Sequence, residues 1–331
     1  MKKIIIGIDV SKLTLDVAHF TSEGCVKSNH VVIDNNVTGY DDMLTWFKEK
    51  KFKRKEVLIC MEHTGIYTDQ LTKFLEKKKI QYTLQSPIHL SKSLGIVRGK
   101  NDVIDSFRLS EYAGEKKEKI KVSKRAPENQ IRLKQLAKER KQAVYALTKV
   151  KQVKSEISVH QKVSSQKRKE KQIDLLNKII LEIEKEMQSL IQSDNELSKN
   201  YWLLCSIPGI GPVNAINTIV FTRNFTTFTN PRSYACYVAV APFKHQSGTS
   251  IHKKTSVSKI GNHYLKAELS QAAKSAIIND LQIRKYFDRK FNGKKGPESN
   301  YGQVLNAIKF KMICRMFAVI RRQSPFLGLD F

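Results

Sequence analysis

The chain has 331 residues, 40% hydrophobic and 27% charged, which excludes a disordered polypeptide and leaves room for two domains. Lys and Arg number 59 against 31 Asp and Glu, a formal net charge of +28. Such an excess costs stability by self-repulsion unless an anionic partner neutralises it; nucleic acid is the usual partner, an acidic membrane surface the alternative.

The opening MKKIIIGIDVSK is too short an apolar run for a signal peptide, and Asp9 and Lys12 interrupt it. The longest uncharged run, 200–222, carries two Pro, two Gly and three Asn and makes a poor membrane span. The cysteines Cys25, Cys60, Cys205, Cys236 and Cys314 form no C-x-x-C, so neither a zinc signature nor a disulfide framework is expected, and a reducing cytoplasm is.

In chain order, 3–10 reads as a buried strand with Asp9 at its end, followed by strand-like runs at 13–20 and 25–33, a three-stranded meander. A helix is predicted over 40–51, with Tyr40, Met43, Leu44 and Phe47 on one face. A buried strand at 56–61 ends at Glu62, and helix 67–79 and strand 80–84 follow. Residues 87–113 read as helical with a break near Gly99. Strands first, then alternating strand and helix, make an α/β domain over 1–114.

Residues 115–171 hold 19 Lys and Arg against 6 Asp and Glu. Ile173, Leu176, Ile180, Ile183, Met187 and Leu190 then recur at three- and four-residue steps, a coiled-coil seam. Helices over 128–160 and 171–199, antiparallel about a polar turn near 162–168, form a basic arm assigned to 115–199. Two ordinary amphipathic helices on a globular core are the alternative.

The remainder, 200–331, reads as a mainly α domain. P-G-I-G-P at 208–212 lies between apolar helical stretches. Gly209 and Gly211 there allow a tight turn that opens backbone amides to a phosphate, as in a helix-hairpin-helix; a plain connection is the alternative. Apolar 233–243 gives way to a polar, basic loop, and helices are expected at 263–279 and 301–322, joined by a basic segment at 289–297.

The carboxylates carry the chemistry. A lone D-x-x-D is most simply a solvated helix face. In a sheet resembling that of ribonuclease H, however, the strands ending at Asp9 and Glu62 are neighbours. A following helix then adds Asp102 and Asp105, three apart and so on one face. Four converging carboxylates repel one another unless a cation neutralises them. Mg²⁺ takes carboxylate oxygens and leaves room for phosphate oxygens, and a two-ion site stabilises both attacking and leaving oxygens of a phosphodiester. Asp16, Asp41, Asp42 and Asp69 lack strand-end placement and are expected at the surface; His63 is expected to be structural.

GIDVSK (7–12), EHTGIY (62–67) and KNDVIDSFRLSEYA (100–113) resemble the DEDD motifs of the insertion sequence 110 family of transposases, which includes the Piv-type DNA invertases. IPGIGPVNA (207–215) and APFKHQSGTSIHKKTSVSKIGNHYLKAEL (241–269) are similar to that family's second conserved domain. The resemblance covers about 3–285 and implies a RuvC/ribonuclease-H-like catalytic domain in which Asp9, Glu62, Asp102 and Asp105 bind Mg²⁺, with Mn²⁺ as a substitute. It implies that Ser247 attacks a DNA phosphodiester through a transient phosphoserine link. It also implies partners: the element ends and target DNA, a structured guide RNA, and further copies of the chain as a dimer or tetramer. By residue type alone Ser250, Ser256 and Ser258 are near equals of Ser247, since no Ser-His-Asp order is evident and a serine needs activation. Lys244, Lys253, Lys254, Asn262 and Lys266 are candidate nucleic-acid contacts. Asn101, Ser106 and Lys266 stand where Thr, Ala and Arg are common in the family; Lys266 keeps the charge but loses the bidentate fork.

Three functions follow: a serine recombinase; a junction-resolving nuclease using the same acids by hydrolysis; or a binding scaffold without chemistry, which leaves the gathered acids unexplained. Only the first needs Ser247.

Overall fold

The computed structural model describes residues 4–93, 95, 101–157, 163–247 and 251–328, and side chains outside 153–164 and 244–255. The expected break near Gly99 lies outside these residues. The chain divides into two compact units, Met1–Arg125 and Ala126–Phe331.

The first unit is mixed α/β. Its elements are β1 (Ile4–Val10), β2 (Thr14–Ala18), β3 (His30–Asp34), α1 (Val37–Glu49), β4 (Val57–Glu62), α2 (Asp69–Lys77), β5 (Gln81–Gln85), α3 (Pro87–Ser93) and α4 (Asp102–Glu115). The five strands form one sheet in the order β3-β2-β1-β4-β5. The β1–β2 and β2–β3 pairs are antiparallel, while β1–β4 and β4–β5 are parallel.

Strand periodicity divides the sheet into two apolar faces. Ile6, Ile8, Leu15, Val17 and Ile59 face Tyr40, Met43 and Phe47 of α1 and Leu71 and Leu75 of α2. Ile5, Leu58 and Cys60 face the other way, against Leu90, Leu109, Tyr112 and Ala113. Ile6 and Ile8 are fully buried, each worth about 2 kcal/mol. The third strand begins at His30 rather than residue 25, because Lys27–Asn29 form a 3-10 turn that sets Ala18 opposite His30. The stretch 87–113 is two helices, the second starting at Asp102 with Asn101 Oδ1 accepting from the Val103 amide at 2.9 Å.

The second unit contains α5 (Glu128–Ile157), α6 (Val163–Gln192), α7 (Asn195–Cys205), α8 (Pro212–Thr222), α9 (Pro231–Tyr237), β6 (Pro242–Ser247), β7 (Ile251–Val257), α10 (His263–Asn279), α11 (Leu281–Lys290) and α12 (Tyr301–Arg322). Helices α5 and α6 are tied across by Arg132–Glu186 and Arg140–Glu184 ion pairs. At their root Leu133, Leu136, Met187 and Ile191 are buried in the core that α7–α10 and α12 share; further out Val144, Leu147, Ile173 and Ile180 are half-buried.

Residues 163–168, expected in the turn of the arm, are helical, and the connection 158–162 lies outside the described residues. The helix expected to run to 199 stops at Gln192. Asp194 restarts the chain as α7, accepting from the Glu196 and Leu197 amides. The polar, basic stretch after 243, expected as a loop, instead supplies most of two antiparallel strands, 242–247 and 251–257, with Ser247 paired to Ile251. Helix α11, not anticipated from the sequence, packs Ile283, Tyr286 and Phe287 on the core and is capped by the buried Asp280, which accepts from the Ile283 amide and binds Arg315. Among the described residues no helix is long and apolar enough to cross a membrane.

Candidate active site

The acids are brought together by backbone geometry. Ile5, Gly7 and Asp9 alternate onto the same face of β1, and α4 crosses that face at Gly7. A Cβ on Gly7 would stand 1.9 Å from the Ser106 carbonyl oxygen and 2.5 Å from the Ser110 nitrogen, so only glycine permits this approach. The Ser110 hydroxyl fastens the crossing, donating to the Ile5 carbonyl at 2.8 Å and accepting from the Phe20 amide at 3.0 Å. The start of α4 is thereby laid over the end of β1, with Asp102 and Asp105 in its first turn, where the helix dipole favours negative charge.

Asp9, Glu62 and Asp105 are half-buried and Asp102 is exposed. Burial pushes the Asp9 carboxyl up to about 6, reinforced by the charges of Asp102, Asp105, Asp16 and Glu62. Residues from β1, β2, β4 and α4 therefore share one negative field. Arg108 meets Asp105 at 2.8 Å and supplies a counter-charge.

Asp16 corrects the surface assignment made from the sequence. It is 7% exposed, lies directly across from Asp9 in the β1–β2 register, and accepts a hydrogen bond from His30 Nε2 at 2.9 Å. The alternation Leu15–Asp16–Val17 resembles a strand with one wet face. A second cover on that face, from α4, was the missing information, and no local signal announced it. Asp41 and Asp42 are exposed, and Asp69 pairs with Arg125. His63 accepts from the Gly65 amide through Nδ1, stiffening the turn after Glu62.

The acids offer only oxygen donors, which suits a hard divalent cation, and a cation would relieve the repulsion that raises Asp9. Among the described residues no three His, Cys, Asp or Glu side chains already stand close enough to hold an ion. Asp9, Glu62, Asp102 and Asp105 are the acids here that could hold one.

In the second unit Ser247 ends β6, and the loop 248–250 lies outside the described residues, as do the side chains of Ser247, Lys244, Lys253 and Lys254. Gly209 has φ +91°, and a Cβ there would stand 2.6 Å from the Ala272 carbonyl oxygen. Its glycine requirement thus comes from packing on α10 as well as from the turn. Gly211 caps α8 with open space around it. Asn262 caps α10, accepting from the Leu265 amide and donating to Tyr237 Oη. Lys266 follows in the first turn of that helix.

A transposase family model of the DEDD type matches residues 6–156, and the model of the IS116/IS110/IS902 transposase family matches 201–288. The chain belongs to the IS110 transposase family. It is an enzyme of DNA recombination, related to DNA invertases. It is 27% identical to the pilin gene-inverting protein of Moraxella bovis over 98% of both chains, and equally so to that of Moraxella lacunata. An insertion element IS110 protein of Streptomyces coelicolor is 29% identical over 36% of this chain and 28% of its own. The first transposase match contains all the acids that surround Asp9, and the second contains the α7–α8 turn, the serine hairpin and α10.

Proposed function

We propose that the protein cuts and rejoins DNA as the transposase or site-specific recombinase of an insertion sequence, using Asp9, Glu62, Asp102 and Asp105 as a Mg²⁺ site and Ser247 as nucleophile. The observation that supports this reading most is geometric: Asp9 lies at the end of the central strand β1 beside the Glu62 end of β4, with the first turn of α4, bearing Asp102 and Asp105, laid over it. The strand order β3-β2-β1-β4-β5, with its antiparallel meander and parallel continuation, supports a RuvC/ribonuclease-H-like domain.

Bound Mg²⁺ would neutralise phosphodiester oxygens and lower the barrier to displacement at phosphorus. Ser247 Oγ would form the new O–P bond as its proton leaves, and one strand end would depart as a free hydroxyl. Attack by a second DNA hydroxyl on that phosphoserine would release the serine and join the strands. The relatives named for inverting a pilin gene support site-specific cutting and joining. The net charge of +28 supports a nucleic-acid partner, DNA or RNA alike; the element-encoded guide RNA and the dimer or tetramer are added from the family resemblance.

The test is covalent trapping. Protein, Mg²⁺, labelled element-end DNA and RNA transcribed from the gene's flanks are mixed, denatured and resolved beside Ser247→Ala. A labelled band at protein mass, lost in Ser247→Ala, is expected. Equal cleavage by both proteins with no adduct would replace this reading with metal-dependent hydrolysis.

A further inference from the structure

We propose that a cleft at the root of the β6–β7 hairpin binds one nucleotide of a nucleic-acid strand, with Lys266 and Lys309 on its phosphate and Asn306 Oδ1 accepting from its base or sugar. The inference rests on the nucleic-acid reading above but concerns no residue of the acid cluster.

The cleft encloses about 1110 Å³ between α10, α11, α12 and the hairpin strands, with Pro242 and Val257 on its wall. Lys309 is 6% exposed, yet among the described residues neither it nor Lys266 has an ion-pair or hydrogen-bond partner for its ammonium. Burial and the nearby Lys266 charge push the Lys309 amine down to about 8. Two cations held together without a carboxylate are costly, and an anion between them removes that cost.

Asn306, one turn before Lys309 on the same face of α12, makes the second observation. Its Nδ2 donates to the Val240 carbonyl at 2.7 Å, which fixes the amide orientation, since two facing oxygens would repel. Oδ1 is then left buried with no partner among the described residues. The phosphodiester group itself cannot satisfy it, because it carries no hydrogen-bond donor. A nucleotide supplies both charge and donor. Gly302, which also lines the cleft, has nothing within 4 Å of where its Cβ would be, so the site stays open. Pro242 and Ser247 are the two ends of β6, so the cleft lies within about 17 Å of the serine along the strand, about five nucleotides of B-form backbone.

The experiment uses the full chain and two labelled mixed-sequence single-stranded 20-mers, one DNA and one RNA, with affinity read by fluorescence anisotropy over a salt series. Lys309→Met, which keeps the apolar stem and removes a buried charge, is expected to weaken binding about tenfold and reduce the salt slope by about 0.7. Lys266→Gln is expected to act in the same direction. Asn306→Leu is expected to weaken binding with the slope unchanged; loss on RNA alone identifies the ribose 2′-hydroxyl as donor, and loss on both a base amino group. Wild-type affinity and slope in Lys309→Met and Lys266→Gln on both strands would overturn the proposal. These readouts need no cleavage, so a failed trapping assay would leave the cleft standing, and an inert cleft would leave the recombinase standing.

Discussion

Asp9 and Asp16 are direct cross-strand neighbours, and His30 on the next strand holds Asp16 at 2.9 Å beneath helix α4. The site therefore has a buried acid with a fixed partner beside the acids open to solvent. Removing that partner strands Asp16 in the interior. His30→Ala is expected to destabilise the protein by about 2–3 kcal/mol, read as a lower urea midpoint with an unchanged slope.

Asp9 governs a pH dependence. Its carboxyl titrates near 6 in the folded chain against 3.8 for the free side chain, so between about pH 4 and 6 the folded state binds the extra proton. Stability of the metal-free protein should therefore fall as pH rises through that window and level off above it, by at most about 3 kcal/mol. In Asp9→Asn the fall should vanish, and the variant should melt higher than wild type at pH 7.5 in chelator. Parallel pH curves for the two proteins would show that the Asp9 carboxyl is not raised by burial and its acidic neighbours.

Asp102→Ala and Asp105→Ala remove charge from the mouth of the site without opening the core. Both are expected to abolish strand cleavage, measured on labelled element ends, while DNA and RNA affinity stays within about twofold. Full cleavage by either would remove that residue from the metal site.

Gly209 and Gly211 should behave differently although they share one turn. Gly209→Ala meets the α10 backbone and a positive φ, and a loss of about 2–4 kcal/mol is expected in thermal or denaturant unfolding. Gly211→Ala enters open space at ordinary φ and should change stability by less than about 1 kcal/mol. A large loss of nucleic-acid affinity in a stable Gly211→Ala would then report contact at the exposed cap.

Much of the frame was legible in sequence because its signals are local. The run Ile4–Val10, the strand ending at Glu62, and helices α10 and α12 follow apolar periodicity to within about a residue. Asp102 and Asp105 on one helix turn follow from spacing alone. What was missed depends on distant contacts. Asp16 was read as solvated because nothing near it in sequence reveals the cover from α4. Helix α11 follows α10 after the single residue Asp280, whose bond to Arg315, 35 residues on, no local signal announces, although Ile283, Tyr286 and Phe287 carried its apolar face. The hairpin strands 242–257 are polar and basic and lack the apolar alternation that announces a strand.

The contact between β1 and α4 at Gly7 is made by main-chain atoms. The gap from the end of β1 to the first turn of α4 is consequently limited at Gly7 by peptide geometry, with the apolar side chains of Leu109, Tyr112 and Ala113 packed further along the helix. The working dimensions of the acid cluster therefore rest on two small residues, Gly7, which admits the helix, and Ser110, which ties it to the strand, and neither is among the acids.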